Sequence, residues 1–456
     1  MVVCKVKKLF GTDGVRGVAG EYPVDGATVK KISMSAATVF RKRGSARDIF
    51  IGMDPRPSGR WINGVVSKSF SSAGFRVKQL GIFTTPGIAY LCGEYGGYGC
   101  SVSASHNPAS YNGIKFFAPS GEKIDDNWEI EIEREMDKLI NVSPRSTGRT
   151  LLASGKNNSG NEFLKYLNFL KSTLPKNFNL SGIKLVIDCA NGATGRFANE
   201  IFHNMLNAET VIMHGQCDGK NINRGCGSLH PEKLQRAVLK NGATCGIAFD
   251  GDGDRVIFID EKGNIRDGDF IMAVAAKHLL NKNKLINKTL VVTIMSNLGL
   301  LEAMQEAGIK TLVTPVGDKY VQQAIKESGG NLGGEQSGHI IFSDYLPTGD
   351  GLLTALQVLN ILKESRMPFS QLCGVMTKYP QVLKNLPVSK RMPVEKIPEL
   401  IEQIKKSEKI LRQNGRVSVR YSGTEPLLRI MVEGKNQKQI EGIADRISRA
   451  GKKWLN

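Results

Sequence analysis

The segment DGDGDR (250–255) sets three carboxylates, Asp250, Asp252 and Asp254, at i, i+2 and i+4 with glycines between them. Such closely spaced negative charges repel unless a cation sits among them, and the glycines let the backbone curl until the oxygens converge. An all-oxygen set favours a hard ion such as Mg²⁺. An EF-hand competes, because Glu261 falls at the twelfth position from Asp250. It fails twice. The sixth position is Arg255 where the sharp turn needs glycine, and the flanks 246–249 and 256–259 read as strands, not helices. A solvated acidic turn is the remaining alternative.

A second constellation, SASHNPASYNGIK (103–115), follows a short apolar run at 98–102 that reads as a buried strand. Pro108 stops regular structure and disfavours helix at Asn107, so the Ser105 hydroxyl is presented in a stiff loop at a strand tip. Ligand crevices of α/β proteins lie outside the carboxyl ends of strands. Ordinary turn chemistry is the bland alternative. GGEQSGH (333–339) offers glycines for close backbone approach, Glu335 and Ser337 to bracket sugar hydroxyls, and His339 as a proton shuttle or a structural imidazole. RYSGTEPLLR (420–429) joins two strands. Arg420, Ser422, Thr424 and Arg429, with N–H groups freed at Gly423, make a cradle for a phosphate dianion or else a polar hairpin. FGTDGVRG (10–17) places Arg16 in a glycine-rich loop. A serine, a metal loop, a sugar-sized polar loop and a phosphate cradle together describe phosphoryl transfer to and from a sugar phosphate.

The elements that must position these loops alternate between strand and helix. Strands are expected at 48–54, 75–80, 98–102, 183–188, 257–260, 290–294 and 311–314, and helices at 126–140, 231–240, 298–307, 319–327 and 351–362. The polar stretch 141–161 reads as a linker. After about residue 375 the pattern changes to strands at 386–389, 416–420 and 427–432 around a helix at 397–406. The expectation is α/β: three similar α/β domains with mixed sheets (1–155, 160–260, 261–370) and a smaller α+β carboxyl-terminal domain (375–456) around a central cleft.

At 456 residues one core is too few. The formal charge of +19 comes from 62 basic and 43 acidic residues spread along the chain, without a Lys/Arg run interleaved with aromatics. That argues for small anionic substrates over nucleic acid. Eight cysteines show no C-x-x-C pair and read as reduced, structural thiols. Lys5, Lys7 and Lys8 without an apolar stretch argue against a secretory signal, and no run reaches the ~20 apolar residues of a membrane span. A cytoplasmic protein is expected.

Five segments make the chain resemble the α-D-phosphohexomutase family: FGTDGVRG (10–17), SASHNPASYNGIKFF (103–117), DGDGDR (250–255), GGEQSGH (333–339) and RYSGTEPLLRIMVEG (420–434). They run in the expected order over nearly the whole chain. The resemblance implies that Ser105 is phosphorylated and that Asp250, Asp252, Asp254 and the phosphoserine hold one Mg²⁺ per chain. It sets Lys115, His106 and His339 at positions of proton transfer or phosphate stabilisation, with Arg16 and Arg255 neutralising charge. It gives the sugar to Glu335 and Ser337, and the non-reacting phosphate to Arg420, Ser422, Gly423 and Thr424. Tyr421 departs from the pattern, where proline is common. The implied activity interconverts glucosamine 6-phosphate and glucosamine 1-phosphate through glucosamine 1,6-bisphosphate, which is intermediate and activator. That supplies precursors of UDP-N-acetylglucosamine and the cell wall. The amino-sugar assignment rests on the GTDG opening and Gln336; glucose or mannose phosphate is the alternative substrate. A phosphosugar sensor needs no nucleophile and a phosphatase no second phosphate site, so both rank below. The implied partner is a small sugar phosphate, with neither nucleic acid nor membrane; a homodimer is compatible, and no oligomeric state is fixed.

Overall fold

Three times along the first 375 residues the same pattern recurs: a central strand, an edge strand parallel to it, a third parallel strand on its other side, and an antiparallel return. The computed structural model describes residues 9–139, 159–390, 392–421 and 426–455. The first sheet comprises β1 (Val15–Val18), β2 (Asp48–Met53), β3 (Arg76–Ile82), β4 (Tyr98–Val102) and β5 (Tyr111–Phe117), in spatial order β1-β5-β4-β2-β3. The second has β6 (Lys184–Asp188), β7 (Glu209–Met213), β8 (Cys245–Phe249), β9 (Val256–Asp260) and β10 (Ile265–Arg266), in order β10-β9-β8-β6-β7. The third has β11 (Thr289–Thr293), β12 (Lys310–Thr314), β13 (Leu332–Gly334) and β14 (Ile340–Phe342), in order β12-β11-β13-β14. In each, the central strand is parallel to both neighbours and the return strand is antiparallel.

The near-continuous apolar runs of β4, β8, β9 and β11, buried at every position, are what strands covered on both faces require. Phe40, Phe70, Tyr98 and Phe116 pack a ring cluster in the first core, Phe40 stacked on Tyr98 at 4.4 Å between centroids. Each such ring contributes about 1.5–3 kcal/mol by burial. Helix ends carry the expected chemistry. Thr84 accepts from the Gly87 N–H before the helix Thr85–Tyr95, which Gly96 closes at φ 63°. Asp350 caps Gly351–Ser365 through the Leu353 N–H.

The chain divides into two units, one of residues up to 295 with 308–375, the other of 296–307 with 376 onward. The second unit is an antiparallel sheet of β15 (Gln381–Pro387), β16 (Gly415–Tyr421) and β17 (Leu427–Gly434), β17 central, with helices Pro398–Leu411 and Gln437–Leu455. The helix Leu298–Glu306 groups with it: Asn297 Nδ2 donates to Tyr379 O at 3.0 Å, and Tyr379 N donates to Asn297 Oδ1 at 2.8 Å.

The α/β class with mixed sheets and a smaller carboxyl-terminal unit is what the sequence led us to expect. Differences are local. The helix Ser159–Ser172 begins inside the expected linker, and residues 141–158 of that linker lie outside the described ones. Residues 111–117, to which the sequence reading assigned no element, form the strand Tyr111–Phe117, which puts Lys115 on regular structure. Gly333 and Gly334, expected in a loop, belong to β13. Among the described residues, no helix is long and apolar enough to cross a membrane.

Candidate active site

Three of the polar segments occupy one topological position. Residues 103–110 join β4 to β5, 250–255 join β8 to β9, and 335–339 join β13 to β14. Each leaves the carboxyl end of a parallel strand just before the antiparallel return, where open α/β sheets present ligand sites. The segments meet. Ser105 Oγ donates to Asp250 Oδ2 at 2.6 Å, and a Cβ on Gly251 would stand 2.6 Å from Ser105 O, so the two loops touch through glycine backbone. Gly253 holds φ 77°, a conformation glycine adopts freely, which turns Asp252 and Asp254 inward. Val256 N donates to Gly338 O at 3.1 Å and Gly351 N to Gly253 O at 3.0 Å, tying the third loop and a helix start to the second.

Ser105 is buried and sits at φ 50°, left-handed space that a residue with a Cβ occupies only under constraint. The constraint is visible. Ser105 N donates to Ser103 Oγ (2.8 Å), which donates to Asp54 Oδ2 (2.6 Å). Asn223 Nδ2 donates to Ser105 O (2.8 Å) and Asn107 O (3.0 Å). Arg56, 1% exposed, spends all five N–H groups on the loop and its base: Nε on Asp54, and the terminal nitrogens on the carbonyls of Ser105, Asn107, Pro108 and Tyr111. Arg56 and Asp54 are both fully inside, so removing the guanidinium leaves a buried carboxylate uncompensated. Arg56→Met is expected to cost about 3–5 kcal/mol, read as a lowered Tm, and Arg56→Lys to keep charge but lose the fork and most activity. An Arg56→Met protein with wild-type Tm and turnover would contradict this role.

The three aspartates are buried and offer ligand atoms within 4.8 Å of one another. Asp252 Oδ1 and Asp254 Oδ1 are buried without a hydrogen-bond partner, a state that costs free energy unless a cation takes the lone pairs. Their other oxygens are committed: Asp252 Oδ2 accepts from Thr85 Oγ1 (2.7 Å) and Lys115 Nζ (3.1 Å), and Asp254 Oδ2 faces Lys115 Nζ at 3.4 Å. Burial and the charges of Asp254 and Asp252 push the Asp250 carboxyl well above its ordinary range. Burial would also raise Asp254, but Lys115 foremost, then His339 and Arg255, hold it well below. A hard divalent ion fits this donor set.

Lys115 is almost wholly buried; burial opposes its charge, yet Asp13, Asp252 and Asp254 raise its pKa. Asp13 is a site residue that the sequence reading passed over. Its carboxylate lies 2.9 Å from Lys115 Nζ and 2.5 Å from Lys123 Nζ, and Arg16 pairs with it as well. Lys123 reaches on to Asp318. Neither Lys123 nor Asp318 lies in a recognisable motif; only the Thr-Asp-Gly signature around Asp13 offered a signal. His106 Nδ1 is 3.4 Å from Ser105 Oγ, and burial, then Arg255 and Arg16, pull the imidazole down to about 3, so it is neutral near pH 7. Arg16 reaches Asn107 Oδ1 at 3.4 Å, and Arg255 Nε is 3.9 Å from Asp254 Oδ1.

His339 faces Asp254 Oδ2 and Asp318 Oδ2, each at 3.7 Å, and Nε2 accepts from the Gly349 N–H at 3.1 Å. An accepting Nε2 puts the ring proton on Nδ1, toward Asp254. In this geometry His339 braces the aspartate loop. Glu335 Oε1 accepts from the Gly317 N–H (3.0 Å) and Oε2 from Ser337 Oγ (3.2 Å). Arg420 and Arg429 are register partners on β16 and β17 of the second unit. Ser422, Gly423 and Thr424 lie outside the described residues.

Models of the phosphoglucomutase/phosphomannomutase family match along the chain: alpha/beta/alpha domain I at 7–142, domain II at 162–263, domain III at 267–379 and the C-terminal domain at 383–450. A phosphoglucosamine mutase of Syntrophotalea carbinolica is 45% identical over 449 residues, covering 97% of this chain and 96% of that protein. One of Geobacillus kaustophilus is 45% identical over 445 residues, covering 97% of each. Among solved structures, a phosphoglucomutase/phosphomannomutase family protein of Burkholderia thailandensis aligns with a TM-score of 0.77 at 24% identity, covering 98% of both chains. The Aspergillus fumigatus N-acetylphosphoglucosamine mutase in complex with GlcNAc-6P and magnesium aligns at 0.69 and 19%, covering 98% of this chain and 96% of that one.

Proposed function

The chain belongs to the phosphoglucomutase/phosphomannomutase family and is an isomerase of the phosphoglucosamine mutase kind, and we propose how its residues divide the work. It interconverts glucosamine 6-phosphate and glucosamine 1-phosphate. The observation that carries the chemistry is the buried Ser105 hydroxyl against an aspartate triad with unsatisfied oxygens. Ser105, carrying a phosphoryl group, gives it to a sugar hydroxyl: the Ser Oγ–P bond breaks, a new sugar O–P bond forms, and the hydroxyl proton passes to a base. The neutral His106 ring, beside Ser105 Oγ, is held too far below neutrality to take that proton and is placed to hydrogen-bond the group on Oγ instead. The bisphosphate so formed turns over, and the other phosphoryl group returns to Ser105.

Asp250, Asp252 and Asp254 would hold Mg²⁺ together with the phosphoserine. When bound, the ion supplies positive charge that draws electron density from the phosphoryl oxygens. Lys115, fixed among three aspartates, and Arg16 and Arg255 at the rim add fixed positive charge, which suits a loose, anionic transition state. We assign Glu335 and Ser337 to the sugar. The paired guanidiniums of Arg420 and Arg429, with Ser422, Gly423 and Thr424, are assigned to the non-reacting phosphate: like charges opposed across strands are what a dianion relieves. A cytoplasmic location accords with the seven described cysteines all being free.

Side-by-side turnover of glucosamine, glucose and mannose 6-phosphates, with Mg²⁺ and a trace of the matching 1,6-bisphosphate, tests the substrate assignment. The glucosamine phosphate should show the highest kcat/KM. A higher value for glucose or mannose phosphate overturns the amino-sugar reading and leaves the phosphoserine chemistry intact.

A further inference from the structure

Behind the aspartate loop lies a second cluster of donor atoms that the mutase reaction does not use. Asp188 is the last residue of β6, His214 follows the last residue of the neighbouring parallel strand β7, and Cys226 lies on the connection from β7 to the helix Glu232–Asn241. Their ligand atoms, one carboxylate oxygen, one ring nitrogen and one sulfur, all fall within 4.8 Å of one another. Asp188 is wholly buried and Cys226 is 1% exposed.

The hydrogen bonding there is incomplete. Asp188 Oδ1 accepts from the Ala190 N–H at 2.9 Å, but Asp188 Oδ2 and His214 Nδ1 are buried with no hydrogen bond, although they stand 3.0 Å apart. A plain His–Asp pair would align an N–H between them; here the two atoms are near each other without that alignment. Two ligands at Zn–N and Zn–O distances with a tetrahedral angle stand about 3.3 Å apart. The Cys226 sulfur has two polar neighbours, the Asn191 side chain at 3.9 Å and the Asn223 backbone, neither of which neutralises a thiolate. At the carboxyl end of the equivalent strand in the first sheet, Asp54 is saturated by Arg56 and Ser103; Asp188 has no such partners.

We propose that Asp188, His214 and Cys226 form a second metal site, chemically distinct from the Asp250–Asp252–Asp254 loop, that takes a borderline-soft divalent cation of the Zn²⁺ class. The oxygen, nitrogen and sulfur donors select against Mg²⁺. Three protein ligands leave one position for solvent, and the His214 ring, 22% exposed, marks the way in. The site is one hydrogen bond from both catalytic loops. Asn223, three residues before Cys226, donates from N to Ala190 O (2.9 Å) and from Nδ2 to Ser105 O, while Ala193 N donates to Gly251 O (2.9 Å). A cation there ties together the segments that hold the serine and the aspartates in register.

Co²⁺ is the probe, because a thiolate ligand gives it a near-ultraviolet charge-transfer band that an all-oxygen loop cannot produce. Full-length protein, reduced, chelator-treated and desalted, should develop that band with one equivalent of Co²⁺, and Zn²⁺ should bleach it and raise Tm. Cys226→Ser should abolish the band, and His214→Ala should weaken Co²⁺ binding by at least about tenfold. Asp252→Asn and Cys217→Ser should keep it. No band in the wild type, a band surviving in Cys226→Ser, or one lost in Cys217→Ser overturns the proposal. Should Cys226→Ser fail to fold by circular dichroism, the less buried His214 position decides: wild-type Co²⁺ affinity in His214→Ala overturns the proposal equally. None of these outcomes depends on the mutase assignment.

Discussion

Ser105→Ala is expected to leave a folded protein with no mutase turnover, a loss of roughly 10⁴-fold or more in kcat, the scale seen when a covalent nucleophile is removed. The substitution deletes the two hydrogen bonds of Oγ, to Asp250 and to His106, and leaves the Arg56 and Asn223 bonds to the loop carbonyls in place. No neighbour can substitute. The Ser103 hydroxyl is committed to Asp54 and to the Ser105 N–H. Intact-mass analysis of the wild type should show a fraction one phosphate heavier that maps to Ser105 and is missing from the variant. Ser105→Gly separates chemistry from folding: it relaxes the φ 50° strain, so it should be as stable as wild type or more so, and equally inactive. Near-normal turnover in either variant would sink the phosphoserine assignment.

Asp252→Asn should reduce kcat by about 10²–10³-fold at saturating substrate and ordinary Mg²⁺, the scale of losing one preorganised charge in a closed site. The amide still reaches Thr85, so the loop keeps its shape, but the orphaned oxygen no longer carries a full share of charge for a cation. Raising Mg²⁺ should recover part of the activity. Chelating the wild type should mimic the variant, with Mg²⁺ restoring the rate. Chelated wild-type enzyme working at full speed would show that the aspartates serve Lys115 alone.

Much of this was readable in the chain because local chemistry and tertiary role coincide. The glycine-spaced aspartates between two apolar runs read as a loop between strands, and β8 and β9 bear out those strands. Gly242, at the end of an apolar-periodic run, closes its helix in the left-handed region, as a cap residue does. What escaped was whatever depended on distant partners. Arg56 sits in Asp-Pro-Arg-Pro-Ser, which reads as an exposed turn; only packing 49 to 55 residues away makes it a buried clamp. Asp13, Lys123 and Asp318 form one charge chain across three separate segments. The threefold recurrence of the sheet pattern was expected from three similar α/β units, although no side-chain repeat marks it, since topology can repeat when side chains do not.

The contact between Ser105 and Asp250 spans 145 residues of chain and joins two different sheets. Contacts of such sequence separation form late in folding, because loop-closure entropy is lost before any local gain offsets it. Each sheet with its own helices is therefore able to reach native secondary structure while the enzyme has no competent centre at all. Recovery of turnover after dilution from denaturant is therefore expected to lag the recovery of far-ultraviolet circular dichroism, because turnover alone requires the two sheets to be docked.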